Sequence, residues 1–195
     1  MKIGIVSENY DNDSHALKSL LEKHTYKKDQ KIAFRPIARK LEGDQLLTSK
    51  AVRIINLDCE RYDIDLVVLA KDLDSLPSDK KKIDTVQNRI KQLAKKVNLD
   101  IIPFIVIFEQ EALILTDIQT FNNIYGTSSA YKKNPKFQSE PKEFLKQLTR
   151  KSKRKYKESD TPEIFQALDF DTVYNKHNGD NSFQSFIKDL ESAIK

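Results

Sequence analysis

Three acids in this chain have the type and spacing for chemistry: Glu8, Asp72 and Asp74. Asp72 and Asp74 flank Leu73 directly after the apolar run Leu66–Ala70. On an extended chain alternate side chains share a side, so the two carboxylates are expected together and Leu73 opposite them. Like charges held side by side repel, and a divalent cation such as Mg²⁺, which takes hard oxygen ligands, is a reason to hold them there. Glu8 follows the run Lys2–Val6 in the same manner, with Asp11 and Asp13 near it in sequence. Glu109 and Glu111 follow a later run, Ile101–Phe108. Seven acids are thus expected past the ends of three strands, in a chain of net charge +5. That pattern suits metal-assisted phosphoryl transfer, in which bound ions activate the attacking oxygen and neutralise phosphate charge. A plainer reading is that each acid merely opens a loop or sits in the first turn of a helix, where the dipole favours it.

The elements that must position these acids can be read from periodicity. Lys2–Val6, Ile32–Ile37, the β-branched run at Leu66–Ala70 and Ile101–Phe108 read as four strands, with Pro36 favouring an edge for the second. Between them lie three helical patterns. The first carries Ala16, Leu17, Leu20 and Leu21 behind a cap at Asp13 or Ser14. The second opens at Gly43-Asp44 and carries apolar residues to about Leu57. The third, capped by Ser78 or Asp79, buries Ile83, Val86, Ile90, Leu93, Ala94 and Val97, and exposes Lys80, Lys81, Lys82, Arg89, Lys91, Lys95 and Lys96. Strand–helix alternation of this kind predicts an α/β fold: a parallel sheet of about four strands with helices on both faces and right-handed crossovers. If strands one and three are neighbours, their carboxyl ends form the crevice where such sheets bind ligands.

After residue 117 the alternation stops. Glu109–Asp117 is expected to be a short amphipathic helix, and Ile118 to Pro141 to be irregular. Helices are predicted at Pro141–Arg150, from Pro162, and from Asn181 or Ser182 with Phe183, Phe186, Ile187, Leu190 and Ile194 on one face. The expected organisation is an α/β core over residues 1–117 and a helical extension over 118–195 packed on it, one domain overall. A basic run, Arg150 to Lys157, interrupts this half; its Lys151, Lys153, Arg154, Lys155 and Lys157, with Lys71 and Lys142, are candidate nucleic-acid contacts, and Tyr156 could stack on a base.

Composition narrows the class. At 38 % apolar and 32 % charged residues, with no run near the ~20 needed to span a bilayer, the chain reads as a polar globule. The start, MKIGIVSEN, has no signal-peptide core and reads directly as a strand. One cysteine, Cys59, excludes an internal disulfide and a cysteine-based zinc site, and suits the cytoplasm. Four glycines and no glycine-rich loop argue against a P-loop or dinucleotide fingerprint. His15, His24 and His177 lack ligand spacing and are expected on the surface.

Glu8 after the first strand and Asp72-Leu73-Asp74 after the third resemble the TOPRIM fold of topoisomerases, primases and OLD-type nucleases. Nearly the whole chain is similar to small TOPRIM-like proteins classed as domain of unknown function 4276, often encoded beside AAA-type ATPases in prokaryotic defence loci. The landmarks are Glu8, Leu69–Asp74, Glu109–Asp117, Glu140-Pro141-Lys142, Lys153–Lys157 and Ser182-Phe183. The resemblance implies a TOPRIM/Rossmann-like sheet and a Mg²⁺- or Mn²⁺-dependent nuclease, the effector of an ATPase-coupled antiviral system. Glu8 would be the acid/base group and Asp72 and Asp74 the metal carriers, with Glu8, Glu109, Glu111 and Asp11 as further candidate ligands. One departure is that Asn9, not glycine, follows the glutamate; Asn tolerates unusual backbone angles and could take its place in the turn. The alternative is a catalytically inactive TOPRIM-fold module that binds an ATPase or nucleic acid. A receiver-like phosphoacceptor would gather similar acids but would not need the helical second half.

Overall fold

The computed structural model describes residues 1–41, 43–107, 109–175 and 182–194. Strand β1 (Lys2–Val6) leads through a π-helical turn, Tyr10–Ser14, into α1 (His15–Lys27). Then come β2 (Ala33–Pro36), a 3-10 turn at Gly43–Leu47, α2 (Ser49–Tyr62), β3 (Leu66–Asp72), α3 (Lys80–Ala94) and β4 (Ile101–Val106). All four strands are parallel, in the order β2-β1-β3-β4. The expected neighbours are in register, with Ile5 opposite Val68 and Val6 opposite Leu69. Pro36 lies on one edge strand, where its missing N–H costs no ladder bond, and Pro103 lies on the other. Phe108, expected to end the fourth strand, Asn181 as a helix cap, and His177 lie outside the described residues.

Parity along the strands divides the core into two layers. Ile3, Ile5, Leu66, Val68, Ala70 and Phe104 face α1 (Leu17, Leu20, Leu21) and the helices of the second half. Val6, Val67, Leu69 and Leu73 face α2 (Ile55, Cys59) and α3 (Val86, Ile90, Leu93). The same alternation fixes the end of β3. Asp72 shares its parity with Val68 and Ala70, on the α1 side, whereas Lys71 shares that of Val67 and Leu69.

Past β4 the structure departs from the expected pattern. Gln110–Asp117 is a 3-10 helix buried on every side, Gln110, Glu111, Thr116 and Asp117 included, rather than an amphipathic surface helix. The stretch expected to be irregular begins with α4 (Ile118–Tyr125), capped by Asp117 through Thr120 and ended by Gly126 at φ 63°. A left-handed glycine is a common helix stop. The chain continues through α5 (Pro141–Leu148), α6 (Thr161–Ala167), α7 (Phe170–Asn175) and α8 (Ser182–Ala193). Helix α8 seats Phe183 and Phe186 against Phe104 of β4, ring centroids 5.7 and 4.6 Å away. His24, expected on the surface, is buried; its ring stacks 4.4 Å from Phe170 and its Nε2 lies 2.9 Å from Glu191 Oε1. Among the described residues no helix is long and apolar enough to cross a membrane.

Candidate metal centre

The turn after β1 sets the first acids. Asn9 is extended, at φ −123°, and its side chain accepts from Asn12 N–H at 3.1 Å. It therefore acts as a cap and does not stand in for glycine at a left-handed position. Because Asn9 does the capping, Asp13 and Ser14 need not. Ser14 Oγ instead meets Ser7 Oγ at 2.6 Å, and Asp13, 8 % exposed, turns towards the ends of the strands. Asp11 points away, exposed and 3.3 Å from Arg39.

At the end of β3 the expected pairing of Asp72 with Asp74 does not form. Leu73 stays buried, but Asp74 takes a left-handed backbone, φ 49°, and is exposed. The alternation that would have aligned the two carboxylates stops with the extended chain at Asp72. Asp74 offers its carbonyl to Lys82 Nζ at 2.9 Å.

The partners of Asp72 come from elsewhere in the chain. It keeps a small accessible edge yet is otherwise enclosed by protein. Burial, then the negative charges of Asp13, Glu111 and Glu8, hold its carboxyl well above the usual range, against the pull of Lys142. Burial chiefly raises Asp13 to about 6, with Glu8 and Glu109 adding and Lys142 and the Asn9 backbone opposing. Glu111, 1 % exposed, is pushed by burial to about 8, with Asp13 and Glu109 adding and Lys142 opposing. Its Oε2 is buried and has no hydrogen-bond partner among the described residues.

Two lysines enter this cluster. Lys142, in the first turn of α5, places Nζ 3.3 Å from Glu109 Oε1 and 3.8 Å from Glu111 Oε2. Desolvation disfavours its charge, but Glu111, Glu109, Asp72 and Asp13 outweigh that and raise its pKa. Lys71 is buried and pairs with Glu8. Both lysines, expected to meet nucleic acid, are internal counter-ions here. The basic run is likewise partly committed. Arg154 makes a bidentate pair with Glu163 at 2.8 and 2.6 Å, and Tyr156 is buried with its hydroxyl on Thr161, so it cannot stack on a base. Lys151, Lys153, Lys155 and Lys157 remain exposed.

The structure thus gathers Glu8, Asp13, Asp72, Glu109, Glu111, Lys71 and Lys142, and leaves out Asp74 and Asp11. Among the described residues five carboxyl groups face two ammonium groups, so buried acid is in excess of buried base. Hard carboxylate oxygens, one of them held only by the distant Lys142 ammonium, fit Mg²⁺ or Mn²⁺ in kind. Among the described residues, however, no three His, Cys, Asp or Glu stand ready to hold a metal ion. The lysines supply the positive charge, and Lys142 would have to yield for an ion to be held.

A family model described as a domain of unknown function (DUF4276) matches residues 12–191. No curated protein and no solved structure matches the chain.

Proposed function

As the chain belongs to the DUF4276 family, whose description names no reaction, we propose from the site itself that it is a metal-dependent, TOPRIM-like nuclease hydrolysing phosphodiesters of DNA or RNA. The observation that carries this reading is the excess of buried acid around Asp72, where a Glu111 oxygen with no hydrogen-bond partner among the described residues and carboxyls pushed towards their neutral forms leave room for a cation's charge. Perturbed acids gathered at strand ends are candidates for function on physical grounds. Asp72, Asp13 and Glu111 would hold the ion, with Glu109 steadying Lys142. A bound Mg²⁺ or Mn²⁺ would supply Lewis-acid activation of water and neutralise phosphate charge. Glu8, kept in place by Lys71, is the general acid/base candidate. An ATPase partner that controls the activity belongs to the same proposal and rests on the resemblance alone.

A second reading has its own support. Lysines already fill the cluster and no three-ligand arrangement is formed, as suits a module that keeps the fold without catalysis. Titrating Mn²⁺ while following thermal unfolding, together with cleavage of labelled DNA and RNA, separates the two. The nuclease reading expects Mn²⁺ to raise the melting temperature, and Asp72→Asn to lose both that rise and all cleavage. Wild type indifferent to Mn²⁺ and inert on every substrate, with an ATPase partner present, would leave the module.

A further inference from the structure

The basic run keeps four exposed lysines, but its one ring, Tyr156, is buried, so it offers phosphate contacts without a surface for a base. A groove of about 370 Å³ runs along the outer edge of β2. Among the described residues its charged lining is Lys2, Lys18 and Arg35, with His15 beside them and no acid. Tyr62 and Tyr10 are also in the lining. Arg35 lies over the Tyr62 ring, 3.8 Å from its centroid, and His15 meets Tyr10 edge-on at 5.4 Å. The acids that reach these cations, Asp63 on Lys2 and Glu22 on Lys18, are solvent-exposed pairs of the weak kind.

We propose that this groove binds one strand of nucleic acid and leads it to the acid cluster. The inference rests on the nuclease reading for what happens at the cluster, but not for the binding itself. The lining supplies charge for phosphates; Arg35 and Arg61 lie over the Tyr62 ring and Arg39 over Tyr10, so an unstacked base would take a ring face by displacing an arginine, which is then freed for a phosphate. The volume is at the low end of ligand clefts, ~300–1,000 Å³, and takes about one nucleotide. Lys2 and Ala33 mark the amino end of the groove, and Pro36 its carboxyl end, about 10 Å further along the strand. Tyr10 begins the same π-helical turn that presents Asp13 to the cluster, so the track ends at the site's rim. An acidic peptide is the competing occupant. It would have to add a strand to β2, which is only four residues long and ends in Pro36, a residue with no N–H to give.

Binding is read without cleavage, by anisotropy of fluorescein-labelled oligothymidine and oligouridine in EDTA, beside a duplex and a poly-glutamate peptide. The wild type is expected to prefer the single strands. The double variant Lys18→Ala/Arg35→Ala should weaken them about tenfold and flatten the salt dependence by about one phosphate's worth, ~0.7 in the log–log slope. Tyr62→Ala should weaken binding about tenfold at every salt concentration. Arg35→Lys, which keeps the charge, should retain most of the salt slope, so that a folding defect is told apart. Unchanged binding in these variants, or a wild type that takes poly-glutamate better than either oligonucleotide, overturns the groove. A wild type that binds through the groove but never cleaves, with Mn²⁺ and an ATPase partner present, keeps the groove and removes the nuclease reading. Cleavage with unaltered binding in the groove variants does the reverse.

Discussion

Glu111 offers the most direct test of the acid cluster, because its charge state can be set by pH alone. In the unfolded chain its carboxyl ionises near 4.5, and in the folded protein near 8. A raised acid favours the folded state while both forms hold the proton, below pH 4.5. That contribution is lost as pH climbs towards 8, because the unfolded chain releases a proton the folded one keeps. At 1.36 kcal/mol per pH unit, the span from 4.5 to 7.5 amounts to about 4 kcal/mol. Glu111→Gln removes this titration. It also deprives Lys142 of one of its two carboxylates, which returns about 1–2 kcal/mol. The variant should therefore be about 2 kcal/mol more stable than wild type at pH 7.5, a gain of about 4–8 °C in melting temperature for a chain of this size. At pH 4.5 the advantage should vanish or change sign. Asp13, titrating near 6, gives both proteins a smaller fall between pH 4 and 6. The assay is thermal and urea unfolding in EDTA at pH 4.5, 6 and 7.5. Parallel stability curves for the two proteins would refute the claim that excess buried acid is being held there.

Other perturbations reach the same structure from different sides. Lys142→Met strips the cluster of its inner cation and should cost about 3 kcal/mol at pH 7.5, read from the urea midpoint, as removing one member of a buried pair does. Asn9→Ala should cost about 1 kcal/mol of cap and, by loosening the turn that carries Asp13, shrink any Mn²⁺-induced thermal shift. Phe186→Ala, emptying the seat of α8 on β4, should cost about 3–5 kcal/mol in the same urea measurement. For His24, burial and then Lys28 lower the imidazole pKa against Glu191. NMR titration should place it below 6.5, and its contribution to stability, present above 6.5, should fade as pH drops through that lower value.

The alternation of strands and helices up to Val106 was legible because each strand is a short apolar run and each helix carries a 3.6-residue period, α3 most plainly. The junction of the first and third strands followed from topology. The site was legible only where strand parity held. Asp72 fell in place as the last extended residue of β3, but Asp74 did not, because a left-handed backbone angle one residue past Leu73 has no signature in an aspartate. Asp13 is as good a cap as an acid for the site by sequence alone; the Asn9–Asn12 hydrogen bond is what releases it. Lys142 was visible as a residue but not as a counter-ion, since its partners lie some thirty positions earlier. The buried 3-10 segment and α4 escaped because Gln110, Glu111, Thr116 and Asp117 look like surface residues until their tertiary neighbours cover them.

The contact of Phe104 with Phe183 and Phe186 also bears on synthesis. On the ribosome, the face of β4 that carries Phe104 stays uncovered until α8 has left the exit tunnel, so apolar surface is displayed while the intervening helices are made. Glu109, Glu111 and Lys142 meet only after α5 has emerged, well after Asp72. A polypeptide stopped short of that point would carry the aspartate without its inner ammonium, and one released between α5 and α8 would own every residue of the acid pocket but not the helix that covers Phe104.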